Sequence, residues 1–245
     1  MNRPHVHISP ADRWSQDVSD AIARVIVGAV EERGRATVAL SGGHTPRPVY
    51  ERLAHAPVPW DRVHLFWGDE RYVPHHDPRS NYRMAREVLI QHIPIPPDHV
   101  HPMPTHHPDP DVAAREYEAT LRAHLSESSP FDLVLLGLGG DCHTASLFPH
   151  TPALEETERW VVPNPGPDVL RLTLTYPILN QARLVFFLVT GEGKAPVVYR
   201  VFHGEEDVHT CPARGIRPRR GHVHWWLDEA AARELTLEFG KEVNA

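Results

Sequence analysis

The chain has 245 residues, 41% of them hydrophobic and 23% charged, which is enough apolar content for the core of one large α/β domain and too much for a disordered segment. Its 25 basic and 32 acidic residues leave a formal charge of −7 with no basic stripe, which excludes nucleic acid as the main partner but not a small anion held by a few local donors. No apolar run approaches the roughly 18 residues of a membrane span, the opening "MNRPHVHISPADRW" lacks the apolar stretch of a secretory signal, and two cysteines are too few for a disulfide framework or a four-cysteine zinc site.

In chain order, residues 5–8 (HVHI) alternate as a short strand, and 11–33 carry Ile22, Ile26, Val27 and Val30 at helical spacing. "ATVAL" (36–40) is a strand ending at "SGG", and a helix from about Pro46 to Ala54 follows, with prolines near its start where a missing N–H does no harm. "RVHLFW" (62–67) is the next strand. "SNYRMAREVLIQHI" reads as a helix capped by Ser80 or Asn81, and 111–125 as another amphipathic helix. "FDLVLLGLG" is the most apolar strand, as expected at the centre of a parallel sheet buried on both faces. "RLTLTYPILN", "RLVFFLVT", a helix from Lys194 to His203, "GHVHWWL" and a last helix from Asp228 complete the pattern. Alternating strands and helices predict an α/β, three-layer α/β/α fold with a mostly parallel, Rossmann-like sheet. The proline-rich stretch from Ile93 to Pro110 reads as a long surface connection, so residues 1–245 are expected to form a single domain.

Three stretches offer chemistry. "ALSGGHTPRP" (39–48) is strand, glycine turn and helix start; Ser41, Gly42 and Gly43 there would present N–H groups and a hydroxyl to an anion, or serve as a tight turn alone. It is not a P-loop, because no G-K-[ST] follows at the required spacing. "LFWGDERYVP" (65–74) sets Asp69, Glu70 and Arg71 just past a strand's carboxyl end, where open α/β sheets bind ligands; the alternative is a solvated charged loop. Arg71 has the planar fork that suits a phosphate. "DLVLLGLGGDCHTASLFPH" (132–150) ends a buried strand with Asp141, Cys142 and His143, and a carboxylate two residues before a histidine can orient it as a general base. "GLGGDC" misses the last glycine of a dinucleotide fingerprint, and no G-x-S-x-G elbow marks a Ser-His-Asp hydrolase.

Histidines are abundant, 19 in all, and several cluster in sequence ("PHHDP", "PTHHPD", "HVHWW"); His222 and His224 fall on one strand face. None shows a recognised ligand spacing, so no metal is expected in the site. Lysine is rare. Only Lys194 and Lys241 occur among arginines, and Lys194 lies inside an ordered segment.

"LSGGHTP", "WGDERYVP" with "SNYRMA", "LGLGGDCHTASLFP", "RLTLTYPILNQA" and "TGEGKA" resemble, in order, the motifs of the glucosamine-6-phosphate isomerase/6-phosphogluconolactonase family, from about residue 8 to residue 240. "DCHTASLFP" is similar to the lactonase branch. The resemblance implies a NagB/RpiA/CoA-transferase-like fold, no cofactor, and hydrolysis of 6-phospho-D-glucono-1,5-lactone to 6-phosphogluconate in the oxidative pentose phosphate pathway. It implies His143 as general base with Asp141 beside it, and Ser41, Gly42, Gly43, Thr45, Asp69, Arg71, Arg171 and Lys194 as the substrate- and phosphate-binding set. The expected partner is a small sugar-phosphate lactone rather than nucleic acid or membrane, for a monomer or homodimer in the cytoplasm. Cys142 departs from the family's usual glycine: a positive φ there would cost a non-glycine residue about 1–3 kcal/mol, and a thiol beside His143 would be a nucleophile in principle. His44, where a small hydroxyl residue is common, departs as well. Two other readings stay open: a deaminase or isomerase acting on an amino-sugar phosphate, and a non-catalytic sugar-phosphate sensor.

Overall fold

The computed structural model describes residues 4–235. Among them run nine strands, β1 (His5–Ser9), β2 (Ala36–Leu40), β3 (Val63–Trp67), β4 (Asp69–Arg71), β5 (Leu133–Leu136), β6 (Val161–Asn164), β7 (Arg171–Leu174), β8 (Leu184–Val189) and β9 (His222–Asp228). The helices are α1 (Ala11–Arg33), α2 (Arg47–Leu53), α3 (Asn81–Val88), α4 (Pro110–His124), α5 (Tyr176–Leu179), α6 (Ala195–His203) and α7 (Glu229–Ala232).

Six strands form one sheet in the order β1-β9-β8-β5-β2-β3, every pairing parallel. β2 and β5 are buried at every position, so the sheet is covered on both faces, as their unbroken apolar sequences require. From β2 the chain moves outward to β3; from β5 it moves the other way, to β8 and β9. The order therefore reverses between β2 and β5, and a crevice opens there beyond the carboxyl ends of the strands. Helix α1 buries Trp14, Val18, Ile22 and Ile26. Val18, Ile22 and Ile26 are at most 1% exposed, each contributing about 1.5–3 kcal/mol through burial.

A second, antiparallel sheet of three strands, β4-β7-β6, follows directly on β3. The N–H of Leu174 donates to Gly68 O, which ties this sheet to the end of β3. The sequence pattern does not display it, because β4 has only three residues, all charged. Helix α3 is shorter than its apolar pattern predicts: Leu89 leaves the helical region (φ −131°, ψ −65°), fully buried, and a single 3-10 turn, Ile90–His92, follows. Ser80 is its cap, accepting from the N–H of Arg83. The last helix begins as expected, with Asp228 accepting from Ala231 N; any continuation past residue 235 lies outside the described residues. No helix among the described residues is long and apolar enough to cross a membrane.

Histidines gather at both edges of the large sheet. On β1 and β9 the ring of His224 stacks on those of His5 and His7, with centroids 4.6 and 5.1 Å apart. On β3, His64 stacks on His99 and His101, and His124 closes the group. Burial, reinforced by the neighbouring imidazoles, lowers His64 and His101 to about 4.

Candidate active site

The crevice between β2 and β5 is a cleft of about 350 Å³, and Ser41, Gly42, Gly43, Thr45, Asp69, Arg71, His143, Arg171 and Lys194 all line it. Asp141, Glu70 and Cys142, also singled out in the sequence, are not in the lining; Asp141 is bonded to His143. Four strand ends of the large sheet deliver most of these groups, β2 the glycine turn, β3 the Gly68–Arg71 run, β5 the His143 turn and β8 the turn carrying Lys194, while Arg171 comes from the start of β7.

The glycine turn is dictated by space and backbone. A Cβ on Gly42 would overlap the side-chain amide of Asn81, and Gly43 has φ +94°. The Tyr50 hydroxyl braces the turn from beneath, donating to Ser41 O and accepting from Ser41 N. Among the described residues the buried Ser41 Oγ has no hydrogen-bond partner.

The charged run after β3 is not a solvated loop. Glu70 is 1% exposed, and its carboxylate accepts from the N–H groups of Arg71, Asn81 and Tyr82 and from Ser80 Oγ. Burial lifts it to about 7 in spite of those four donors. This buried carboxylate locks β4 to the start of α3 and so positions Asn81, whose Oδ1 accepts from Arg71 Nη1 and whose Nδ2 donates to Asp69 O. Asp69 Oδ2 accepts from Ser146 Oγ at 2.5 Å.

Arg71 and Arg171 are directly opposite each other in the β4–β7 register. Like charges placed that way repel. Arg171 is 5% exposed and bonded through Nη2 to Asp168, while its buried Nη1 has no hydrogen-bond partner among the described residues. Two facing guanidiniums with spare N–H groups in one cleft form a natural receptor for an anion. Lys194 reaches the same space, its Nζ donating to Leu138 O at 2.7 Å.

Facing these cations is the turn Gly139–His143. His143 Nδ1 is 2.5 Å from Asp141 Oδ1, and the same oxygen accepts the backbone N–H of His143. The bond from His143 holds Asp141 down to about 2, so the carboxylate is ionised at neutral pH and only accepts. Nδ1 therefore carries the proton and Nε2 the free lone pair. Gly139 makes room for the ring, since a Cβ there would overlap the His143 imidazole. Phe148 packs against its side, centroids 4.6 Å apart.

Cys142 has φ +76°, the conformation in which glycine is at ease. It is fully buried and joined to Cys211, with Cα atoms 4.8 Å apart. The idea of a free thiol beside His143 is thus corrected: Cys142 is paired away from the cleft. Two cysteines do make one disulfide, across 69 residues that no spacing rule connects. Sequence reasoning also passed over Glu70 as an organiser and Asn81 and Ser146 as cleft groups. The signal for Asn81 was its place in the "SNYRMA" motif, where it reads only as a helix cap.

A parallel sheet with a cationic cleft and an oriented histidine at its carboxyl edge defines a class of α/β proteins built around a small anionic ligand. The chain matches the family model described as glucosamine-6-phosphate isomerases/6-phosphogluconolactonase over residues 9–225. It is 46% identical over 214 residues to 6-phosphogluconolactonase of Synechocystis, covering 86% of this chain and 89% of that one. To human 6-phosphogluconolactonase it is 39% identical over 244 residues, 93% of each. A solved 6-phosphogluconolactonase from Trypanosoma brucei superposes with a TM-score of 0.84 at 32% identity, over 96% of this chain and all of the other. The chain belongs to the glucosamine-6-phosphate isomerase/6-phosphogluconolactonase family.

Proposed function

We propose that the protein hydrolyses 6-phospho-D-glucono-1,5-lactone to 6-phosphogluconate, as a cytoplasmic enzyme of the oxidative pentose phosphate pathway. One observation carries the reading: Arg71 and Arg171 stand side by side on β4 and β7 in the cleft that His143, bonded to Asp141, also lines. The cations suit the phosphate, and the histidine suits the carbonyl at the other end of the substrate.

In this reading Arg71, Arg171 and Lys194, with the Ser41–Gly43 turn and Thr45, hold the phosphate and fix the lactone without touching its reacting carbon. His143 Nε2 takes a proton from a water that attacks C1. Backbone N–H groups of a glycine loop meet the oxyanion. The C1–ring oxygen bond then breaks, and His143 returns its proton to that oxygen, leaving a hydroxyl and a carboxylic acid that loses its own proton to solvent. Asp141 keeps Nδ1 protonated throughout and stabilises the imidazolium. Asp69, held by Ser146 and Asn81, shapes the wall beside Arg71.

The test is turnover of freshly made 6-phosphogluconolactone, read through 6-phosphogluconate dehydrogenase with spontaneous hydrolysis subtracted. We expect a rate well above background, falling about 10²–10⁴-fold in His143→Ala, the range a general base supplies. A wild-type rate equal to background, or ammonia release from glucosamine 6-phosphate, refutes it. Tight sugar-phosphate binding without turnover would instead make the protein a sensor.

A further inference from the structure

The imidazoles of His64, His101 and His124 come from three separate parts of the chain: β3, the connection after the 97–99 turn, and the last turn of α4. Each offers one ring nitrogen, and these nitrogens lie within 4.8 Å of one another. His64 Nδ1 and His101 Nε2 are 3.1 Å apart, close to the roughly 3.3 Å separating two ligand atoms on a tetrahedral ion with bonds of about 2.0–2.1 Å. His124 Nδ1 is 2.9 Å from the carbonyl of Thr120. Only an N–H satisfies a carbonyl, so Nε2 of His124 keeps its lone pair. A far-side bond to a backbone carbonyl is how metal-bound histidines are commonly oriented. All three rings are half-buried, so solutes reach them.

We propose that His64, His101 and His124 bind one divalent transition-metal ion, zinc by preference, at the outer edge of β3 and apart from the catalytic cleft. His64 precedes Gly68 by four residues, about 13 Å along the strand. Imidazole nitrogen suits zinc, copper and nickel rather than magnesium or calcium. Three nitrogen–metal bonds form and a water completes the tetrahedron. The proton between His64 and His101 moves to the opposite nitrogen of its own ring, so no oxidant or net proton is needed. Arg35 is the nearby cation, but it is held on the His124 carbonyl; Asp98 is the nearby acid. No other group among the described residues brings three such ligand atoms together. The ion would pin the proline-rich connection and the end of α4 to the edge strand, a structural role independent of turnover.

The experiment uses the full chain stripped with chelator. Cobalt(II) is titrated and the absorption of tetrahedral cobalt recorded, and zinc is measured by equilibrium dialysis. We expect one equivalent of either metal and a rise in melting temperature with zinc. His101→Ala and His124→Gln should each weaken binding about tenfold or more while retaining lactone hydrolysis as proof of folding. His224→Ala, in the other histidine group, should bind as wild type. If His101→Ala fails to fold, His124→Gln at the end of its helix decides alone. Absence of a cobalt spectrum with no zinc retained, binding that survives the ligand substitutions, or binding lost in His224→Ala overturns the proposal.

Discussion

Cys142 and Cys211 join the turn that carries His143 to the short Pro212–Gly215 turn, and the same two segments share a backbone bond from Ala213 N to Cys142 O. The residue next to the histidine is therefore anchored twice, from one side, at a position whose backbone favours glycine.

Cys211→Ser should lower stability by about 2–4 kcal/mol, the usual worth of a disulfide closing a long loop, and reduce turnover as the His143 turn loosens. Cys142→Gly combined with Cys211→Ala should recover turnover without the covalent link, since glycine accepts φ +76° freely. Urea midpoints and kcat for the three proteins, with and without reductant, check both statements. Full activity in Cys211→Ser would show that the anchor does not position His143.

Asp141→Asn keeps the shape of the pair but removes the charge that holds His143 Nδ1–H. We expect kcat to fall by at least about tenfold with KM little changed, because the loss is felt when the imidazolium forms. The wild-type carboxyl titrates near 2 instead of 3.8. Its contribution to stability is thus complete above pH 3.8 and disappears as the pH falls toward 2. Stability measured in both proteins across that acid range should converge at the bottom.

Arg71→Met and Arg171→Met each remove a charged partner for phosphate, and hydrogen bonds to charged groups contribute about 1.5–3 kcal/mol. A fall in kcat/KM of about 10–100-fold is expected, mostly in KM. Arg71→Met should not destabilise the free protein, since it relieves repulsion across the β4–β7 pair. Steady-state kinetics and melting curves, with and without inorganic phosphate, separate the two effects.

Glu70→Gln leaves an amide facing three backbone N–H donors and should cost about 1–3 kcal/mol. The sign of its pH dependence is opposite to that of Asp141. With its carboxyl raised from 4.5 to about 7, the stability it contributes is full below pH 4.5 and is lost as the pH rises through 7. The gap between wild type and Glu70→Gln should therefore narrow from pH 5 to pH 8, as urea titrations at several pH values would reveal.

Gly42→Ala places a methyl in the Asn81 amide. Turnover should fall sharply and be partly restored by Asn81→Ser in the same chain, a coupling that kcat/KM of the four proteins in a double-mutant cycle measures directly.

Much of the cleft is legible in the sequence because its parts are local. In a parallel sheet every loop beyond a strand's carboxyl end opens on the same edge, so "SGG", "GDER", "GGDCH" and "GEGK" point to one place once the strands are found. Helix α1 and strands β2, β3, β5 and β8 announce themselves by period or by unbroken apolar runs. Strands β4 and β6 do not: three charged residues and a four-residue strand containing Pro163 carry no pattern, and they exist because β7 lies between them.

The sequence by itself determined the α/β class, the carboxyl-edge location of the cleft and the identity of most of the groups lining it, since each of those follows from residues close together in the chain. Only the tertiary structure decided which of them meet. Arg71 faces Arg171, Ser146 reaches Asp69, Glu70 gathers the start of α3, Cys142 finds Cys211, and three histidines converge on β3. Each of those contacts joins segments whose separation in the chain says nothing of their distance in space. They are set by strand register and by the packing of the loops, which only the whole core determines.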